Sequence, residues 1–377
     1  MKKRKLRNLA EISIIAIALL LAFTSCAFAF DRQLTPNEVR VKNFYKEEKD
    51  SLDMVVIGSS SVYTSFSSPL AWKEYGFTSY VLATSGAPMG IMKSMLIETM
   101  KTQKPKLIVV DMNGVMYNDN LETKEGSLRL WIDNMLYSQN KIDTINYLVP
   151  KDQRDSYINP VLKYHNNWEK LGYCIKMSIL ETRYFFDRNN LSVSGMSGTA
   201  KKANRKNIID ITNYHETQPL FNESGKHLYD LLDYLKENEI KNVVFVNTPR
   251  YYEKRMLVQR RALTQASKVI SQYGYKVYDL DYDLEKIGLD VHEDFYDHNH
   301  VNIYGQQKVT RYLASLFDKE YHLSGDHHSD KTKEKWNIEY KTYSRIFKWV
   351  ENKIQNNENI KYDIRKFEDI IFSDGEE

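Results

Sequence analysis

Two short stretches, far apart in the chain, carry the residue types of nucleophilic catalysis. The first is "DMVVIGSSSVYTSF", residues 53–66, an apolar run that closes in a glycine and three serines. The second is "EDFYDHNHVNIYGQQKV", in which Asp297 and His300 are separated by two residues. A serine hydroxyl is a poor nucleophile until a base takes its proton, and an imidazole does this best when a carboxylate fixes its tautomer. Ser59, Ser60 and Ser61 cannot all attack. Ser60 is the candidate nucleophile, His300 the base and Asp297 the acid. Plainer readings stand beside this one. Serines after a strand are favoured helix caps. His292, Glu293, Asp294, His298 and His300 could be metal ligands, although their spacing matches no defined coordination motif, and His298 and His300 could be plain loop residues.

Such residues need a scaffold that brings them together. "LDMVVIGSS" reads as a buried strand, a short β-branched run closed by glycine. "TSYVLATSGAP", "KPKLIVVDMNG", "KNVVFVNTPR" and "YKVYDLD" read as four more. Between and after them, "SPLAWKEYG", "MGIMKSMLIETMKTQ", "GKHLYDLLDYLKENEI", "RRALTQASKVISQYG" and "IYGQQKVTRYLASLF" have helical spacing. This alternation predicts a three-layer α/β/α domain with a central parallel sheet over residues 51–320. In open parallel sheets, sites form at the carboxyl ends of the strands. Ser60, Ser85-Gly86, Asp111-Met112-Asn113 and Asn247-Thr248-Pro249-Arg250 all fall at expected carboxyl ends. Arg250 is thus a candidate for holding an anionic group of substrate, against the plainer reading of a surface arginine. Asp111 and Asn113 supply polar groups to the site or merely cap loops. Residues 120–220 interrupt the alternation and read as a mostly helical insertion, with "SVSGMSGTAKKANRKN" as a flexible loop. Residues 321–377 read as a charged helical extension that packs on the domain or on a partner.

The N-terminus bears on location. "MKKRKLRNLAE" is basic, and Ile12–Phe30 follows as 19 residues without a charge. That length suits a bilayer-spanning helix with its N-terminus inside. An uncleaved signal-anchor is the preferred reading, because the run exceeds a typical signal h-region. Cleavage after Ala27-Phe28-Ala29 and lipidation of Cys26 are the alternatives, and all three export the rest of the chain. Residues 31–50 then read as a polar juxtamembrane connector. The 53 basic and 50 acidic side chains give a net charge of +3 that resides in the N-terminal basic cluster. The remainder is close to neutral, which offers no electrostatic footprint for nucleic acid. With only Cys26 and Cys174, the exported part has no internal disulfide.

The combination of a strand ending in Gly58-x-Ser60 with Asp297-x-x-His300 before the last helix resembles the SGNH (GDSL-like) hydrolase superfamily. The resemblance covers about residues 51–318. It implies a flavodoxin-like fold, no cofactor, and Ser60, Asp297 and His300 as nucleophile, acid and base. Asn302 and Gly305 in "VNIYG" match text that commonly follows that histidine. Gly86 fits the glycine of the second block, so the implied oxyanion hole comprises the Ser60 and Gly86 amides and, within "DMNG", the Asn113 side chain. Two departures are plain: Ser59 replaces the usual aspartate, and the third block is not present as such. The Gly-Ser-Ser start behind an N-terminal apolar segment is similar to the membrane-anchored DltD-like and AlgJ-like branch. That implies an O-acyltransferase or esterase at the cell membrane, acting on a cell-envelope polysaccharide or teichoic acid, with a membrane-bound O-acyltransferase as partner. A non-catalytic binding or scaffold protein of the same fold, and a metal-dependent binding module built on the histidine loop, are the other classes.

Overall fold

The computed structural model describes residues 2–31, 35–118, 124–159, 163, 169–176, 179, 193–199, 207–325, 327–356 and 358. The five apolar runs form one parallel sheet: β1 (Met54–Gly58), β2 (Ser79–Ala83), β3 (Leu107–Asp111), β4 (Val243–Asn247) and β5 (Lys276–Asp279). Their order is β2-β1-β3-β4-β5, with Gly58 beside Ala83, Ile57 beside Val110 and Asp111 beside Val246. Every residue of β1 to β4 is buried. This is why those runs are continuously apolar rather than alternating. The order is that of a flavodoxin-like doubly wound sheet, whose strand order reverses between β1 and β3. Clefts open at that switch point, beyond the carboxyl ends of the two strands.

The helices in chain order are α1 (Lys2–Asp31), α2 (Pro36–Phe44), α3 (Ser60–Ser65), α4 (Ser68–Tyr75), α5 (Met92–Thr102), α6 (Glu125–Ile132), α7 (Gln139–Leu148), α8 (Arg154–Ile158), α9 (Asn222–Glu237), α10 (Leu257–Gln272), α11 (Leu284–Ile287), α12 (Ile303–Tyr321) and α13 (Asp330–Gln355). On one face of the sheet, Met54, Val56, Val81, Leu107, Val109 and Val244 pack with Ala71 of α4 and with Val309, Leu313 and Phe317 of α12. Val55, Ile57, Ile108, Val110 and Phe245, their alternates, are equally buried on the other. Before α12, β6 (Phe295–Asp297) and β7 (His300–Val301) pair antiparallel.

Two compact units result, Met1–Leu34 with Pro150–Arg188, and Thr35–Val149 with Asn189–Glu377. The region read as an insertion is thus divided, α6 and α7 belonging to the second unit and α8 to the first. Much of residues 160–206 lies outside the described residues. Helix α1 runs through the basic cluster and the uncharged segment. Among the described residues, no helix is long and apolar enough to cross a membrane. The side chains of residues 23–34, within or beside the expected span, are outside the description.

Two stretches are more buried than their polar composition suggests. Within the stretch read as a juxtamembrane connector, residues 36–44 are buried or half-buried. They form a helix with Thr35 as N-cap, and Glu38, Arg40 and Phe44 are buried. Polar composition misled because the polar groups have partners inside: Arg40 donates to the carbonyls of Gly195 at 2.6 Å and Ala83 at 3.2 Å. Likewise Val193–Thr199, part of the expected flexible loop, is buried throughout. The Ser197 amide donates to the Tyr63 carbonyl at 2.8 Å. At Gly195 a Cβ would lie 2.0 Å from the Val81 carbonyl oxygen. The C-terminal helix α13 packs on this unit through Trp336, whose ring sits 6.0 Å from that of Trp72.

Candidate active site

The site is assembled by the two loops that the sequence singled out. Ser60 opens α3, directly beyond the end of β1. His300 Nε2 lies 2.8 Å from Ser60 Oγ, and His300 Nδ1 lies 2.8 and 2.9 Å from the two oxygens of Asp297. With Nδ1–H donating to the carboxylate, Nε2 is left to accept the serine proton. The Asp-x-x-His spacing works because Asp297 and His300 face each other across the β6–β7 hairpin. The hairpin is in turn fixed to α12 by Asn302. Its Oδ1 accepts from the Tyr304 and Gly305 amides at 3.0 and 3.2 Å, and its Nδ2 donates to the Glu293 carbonyl at 2.6 Å. Gly305 must be small, since a Cβ would stand 2.3 Å from the Asp294 carbonyl oxygen.

Ser59 and Ser61 do not compete for the nucleophile's place. Both hydroxyls donate to Asp111 Oδ2, at 2.6 and 2.7 Å, and the Ser59 amide donates to the same oxygen at 2.9 Å. Asp111 Oδ1 accepts from the Asn113 amide at 2.9 Å. One buried carboxylate at the end of β3 therefore ties the serine turn to the Asn113 turn. The close fit explains Gly58, where a Cβ would fall 2.3 Å from Asp111 Cβ. Ser59 has an extended backbone and caps α3, leaving Ser60 as the hydroxyl turned to His300.

The remaining predicted residues surround this centre. Gly86 follows β2 with φ +62° and is exposed. Its turn is held by Asn37 Oδ1, which accepts from the Ser85 amide at 3.0 Å, and by Tyr63 Oη, 2.8 Å from Ser85 Oγ. Arg40 stacks 3.9 Å above the Tyr63 ring. Asn113 is buried, and its Oδ1 accepts from Arg250 Nη2 at 3.3 Å. Arg250 is no surface arginine. It is 1% exposed, and its amide donates to Asp281 at 2.9 Å. Its guanidinium, together with Tyr117, Arg255, His298 and Asn299, lines a cleft of about 260 Å³. Asn299 joins the cleft to the hairpin by donating to Tyr117 Oη at 3.4 Å.

Electrostatics favour an ionised Asp297. Burial alone would raise its pKa. The hydrogen bond and charge of His300 and the Asn299 amide outweigh burial and hold the carboxyl below its ordinary value. Burial lowers the pKa of the neighbouring His298. His300 is committed to Ser60 and Asp297, and Asp294 accepts from the Asp290 amide and Lys308 Nζ, each at 2.7 Å.

The sequence matches no protein-family model, and no curated protein matches it. What sequence reasoning left undecided was Asp111, and what it missed was the Asn37–Tyr63–Ser85 support of the Gly86 turn. Asp111 had one usable signal, a lone acid closing an otherwise apolar strand. Asn37 had none, because its contact spans nearly fifty residues of chain.

Proposed function

We propose that the chain is an SGNH-type serine acyl enzyme, an esterase or O-acyltransferase. The observation that carries this reading is the unbroken hydrogen-bond path from Ser60 Oγ through His300 to Asp297. In the proposed reaction Ser60 Oγ attacks an acyl carbonyl while His300 Nε2 takes its proton. The leaving alcohol receives that proton, and an acyl-serine results. A second hydroxyl, activated by the same imidazole, attacks the ester and returns the hydrogen to Ser60. The Ser60 and Gly86 amides and the Asn113 side-chain amide are the proposed oxyanion donors. Arg250 fixes the Asn113 oxygen and so turns its NH₂ away from the guanidinium.

The acceptor proposed is a hydroxyl of a cell-envelope polysaccharide or teichoic acid. A cleft lined by Tyr117, Arg255, His298 and Asn299 offers hydrogen bonds to such a polar chain. The uncharged stretch behind a basic cluster supports exposure outside the cell membrane, on a signal-anchor and beside a membrane-bound O-acyltransferase partner. The first test is labelling of the full-length protein by a fluorophosphonate. Labelling is expected for wild type and absent in Ser60→Ala. No labelling of a well-folded wild type would move the reading to a binding or scaffold protein. The second test is envelope acyl-ester content in a deletion strain: wild type should restore it, and Ser60→Ala and His300→Ala should not.

A further inference from the structure

We infer that Asp53, His327 and His328 form a binding site for a divalent transition-metal ion, zinc by the character of its donors. The site lies at the end of the sheet opposite Ser60. Asp53 immediately precedes β1, and the two histidines lie in the loop that leads into α13. Both imidazoles converge on one carboxylate: His327 Nε2 is 2.6 Å from Asp53 Oδ1, and His328 Nε2 is 2.9 Å from Oδ2. The three donor atoms all lie within 4.8 Å of one another.

An ordinary hydrogen-bonded cluster does not account for His328. Its side chain is only 7% exposed, and despite the approach to Asp53 at 2.9 Å its Nε2 is out of line for a hydrogen bond. A buried ring nitrogen in that state costs free energy unless something takes its lone pair. A metal ion shared with Asp53 does so. The carboxylate is already oriented from behind, as metal-bound carboxylates are. Its Oδ2 accepts from the Thr78 amide at 2.9 Å and from Thr78 Oγ1 at 3.0 Å. Zinc bonds of about 2.0–2.2 Å at tetrahedral angles separate donors by roughly 3.3–3.5 Å. The rings therefore need to withdraw by less than about 1 Å on binding, and His327, with 42% of its side chain exposed, has room to do so.

Two nitrogen donors and one carboxylate suit zinc and disfavour magnesium or calcium. The fourth position opens on a cleft of about 370 Å³ that Lys49 and Lys104 also line, and takes water. Lys106 Nζ lies 3.6 Å from Asp53 Oδ1, a charge opposed to the ion. It is held back by the carbonyls of His322 and Leu323, each at 3.0 Å. The ion would clamp the loop before α13 to the root of β1, next to the contact of His328 with Trp72 at 5.4 Å between ring centroids.

The experiment uses full-length protein stripped with a chelator and then titrated with zinc. We expect close to one zinc per chain after gel filtration, and a melting temperature raised by roughly 3–5 °C at 100-fold excess over Kd. Cobalt should give the intense visible bands of a four-coordinate site. His327→Ala, chosen because this side chain is partly exposed, and Asp53→Asn should keep the wild-type circular dichroism yet lose the zinc, the shift and the bands. Failure of the wild type to retain zinc overturns the assignment. So does equal retention by a folded His327→Ala/His328→Ala variant. Neither result depends on whether Ser60 is a nucleophile.

Discussion

Asp111 reaches from the end of one strand to Ser59 at the end of its neighbour, accepting from the Ser59 hydroxyl at 2.6 Å and from its amide at 2.9 Å. The residue before Ser60 is itself a serine, and the carboxylate that holds it comes from the adjacent strand. Asp111 touches neither Ser60 Oγ nor His300 in a hydrogen bond, so its role is to position the turn.

Asp111→Asn therefore sets an NH₂ group or a single oxygen against three donors. The serine turn should loosen and shift Ser60 relative to His300. The second-order rate of fluorophosphonate labelling should fall by about 100-fold, the scale of a 1 Å misplacement. The pH dependence of the residual rate should keep its wild-type shape, since the base is unchanged. A shifted profile would instead place Asp111 in the proton path.

The depressed pKa of Asp297 has a consequence for acid stability. A carboxyl whose folded pKa lies below its unfolded value, about 3.9, contributes stability above that value and loses it as pH falls through the folded pKa. Urea denaturation should show wild type more stable than Asp297→Asn at about pH 5. The difference should shrink at lower pH. A gap that widens in acid would mean the carboxyl is raised, not lowered.

The meeting of Ser60, His300 and Asp297 was legible because its two halves are local. Gly-x-Ser at the end of an apolar run and Asp-x-x-His before a helix each need only a few residues of context, and the β6–β7 hairpin makes the second spacing work. The sheet was legible for the same reason, since β1 to β4 are buried on both faces and read as unbroken apolar runs. The supports of the site were not. Arg40 and Asn37 look like solvent-facing residues of a connector, and their partners lie in distant segments: the Gly195 carbonyl for buried Arg40 and the Ser85 amide for half-buried Asn37. Val193–Thr199 reads as a loop because serines and glycines dominate it. Glycine there serves close packing against β2 rather than flexibility.

Asn113 offers a direct test of the oxyanion assignment. If its NH₂ faces the developing charge, Asn113→Ala should slow acylation of an activated ester by about 100–1,000-fold with little change in KM. Arg250→Met should produce a smaller loss, because the amide keeps its donor but not its orientation. An unchanged kcat in Asn113→Ala would leave the backbone amides as the oxyanion donors.

Arg260 carries the largest expected stability effect near the site. It donates to Asp281 at 2.7 Å and to Asp279 at 3.0 Å, and the side chains of Arg260 and Asp281 are both fully buried. Asp281 also accepts from Asn247 Nδ2 and Tyr252 Oη, each at 2.6 Å, and from the Arg250 amide at 2.9 Å. This acid thus joins the end of β4 to the strand beyond it and holds the backbone that carries Arg250 over Asn113. Replacing Arg260 by Met leaves a buried carboxylate short of its strongest partner, at a cost of about 3 kcal/mol. The remaining donors to Asp281 keep the loss at that lower end of the range for broken buried pairs. Urea midpoints with an unchanged slope should report it. Adding Asp281→Asn to Arg260→Met should recover part of the loss, because the uncompensated charge is then gone. A double variant as unstable as the sum of the two single variants would show that packing, not the buried charge, sets the cost.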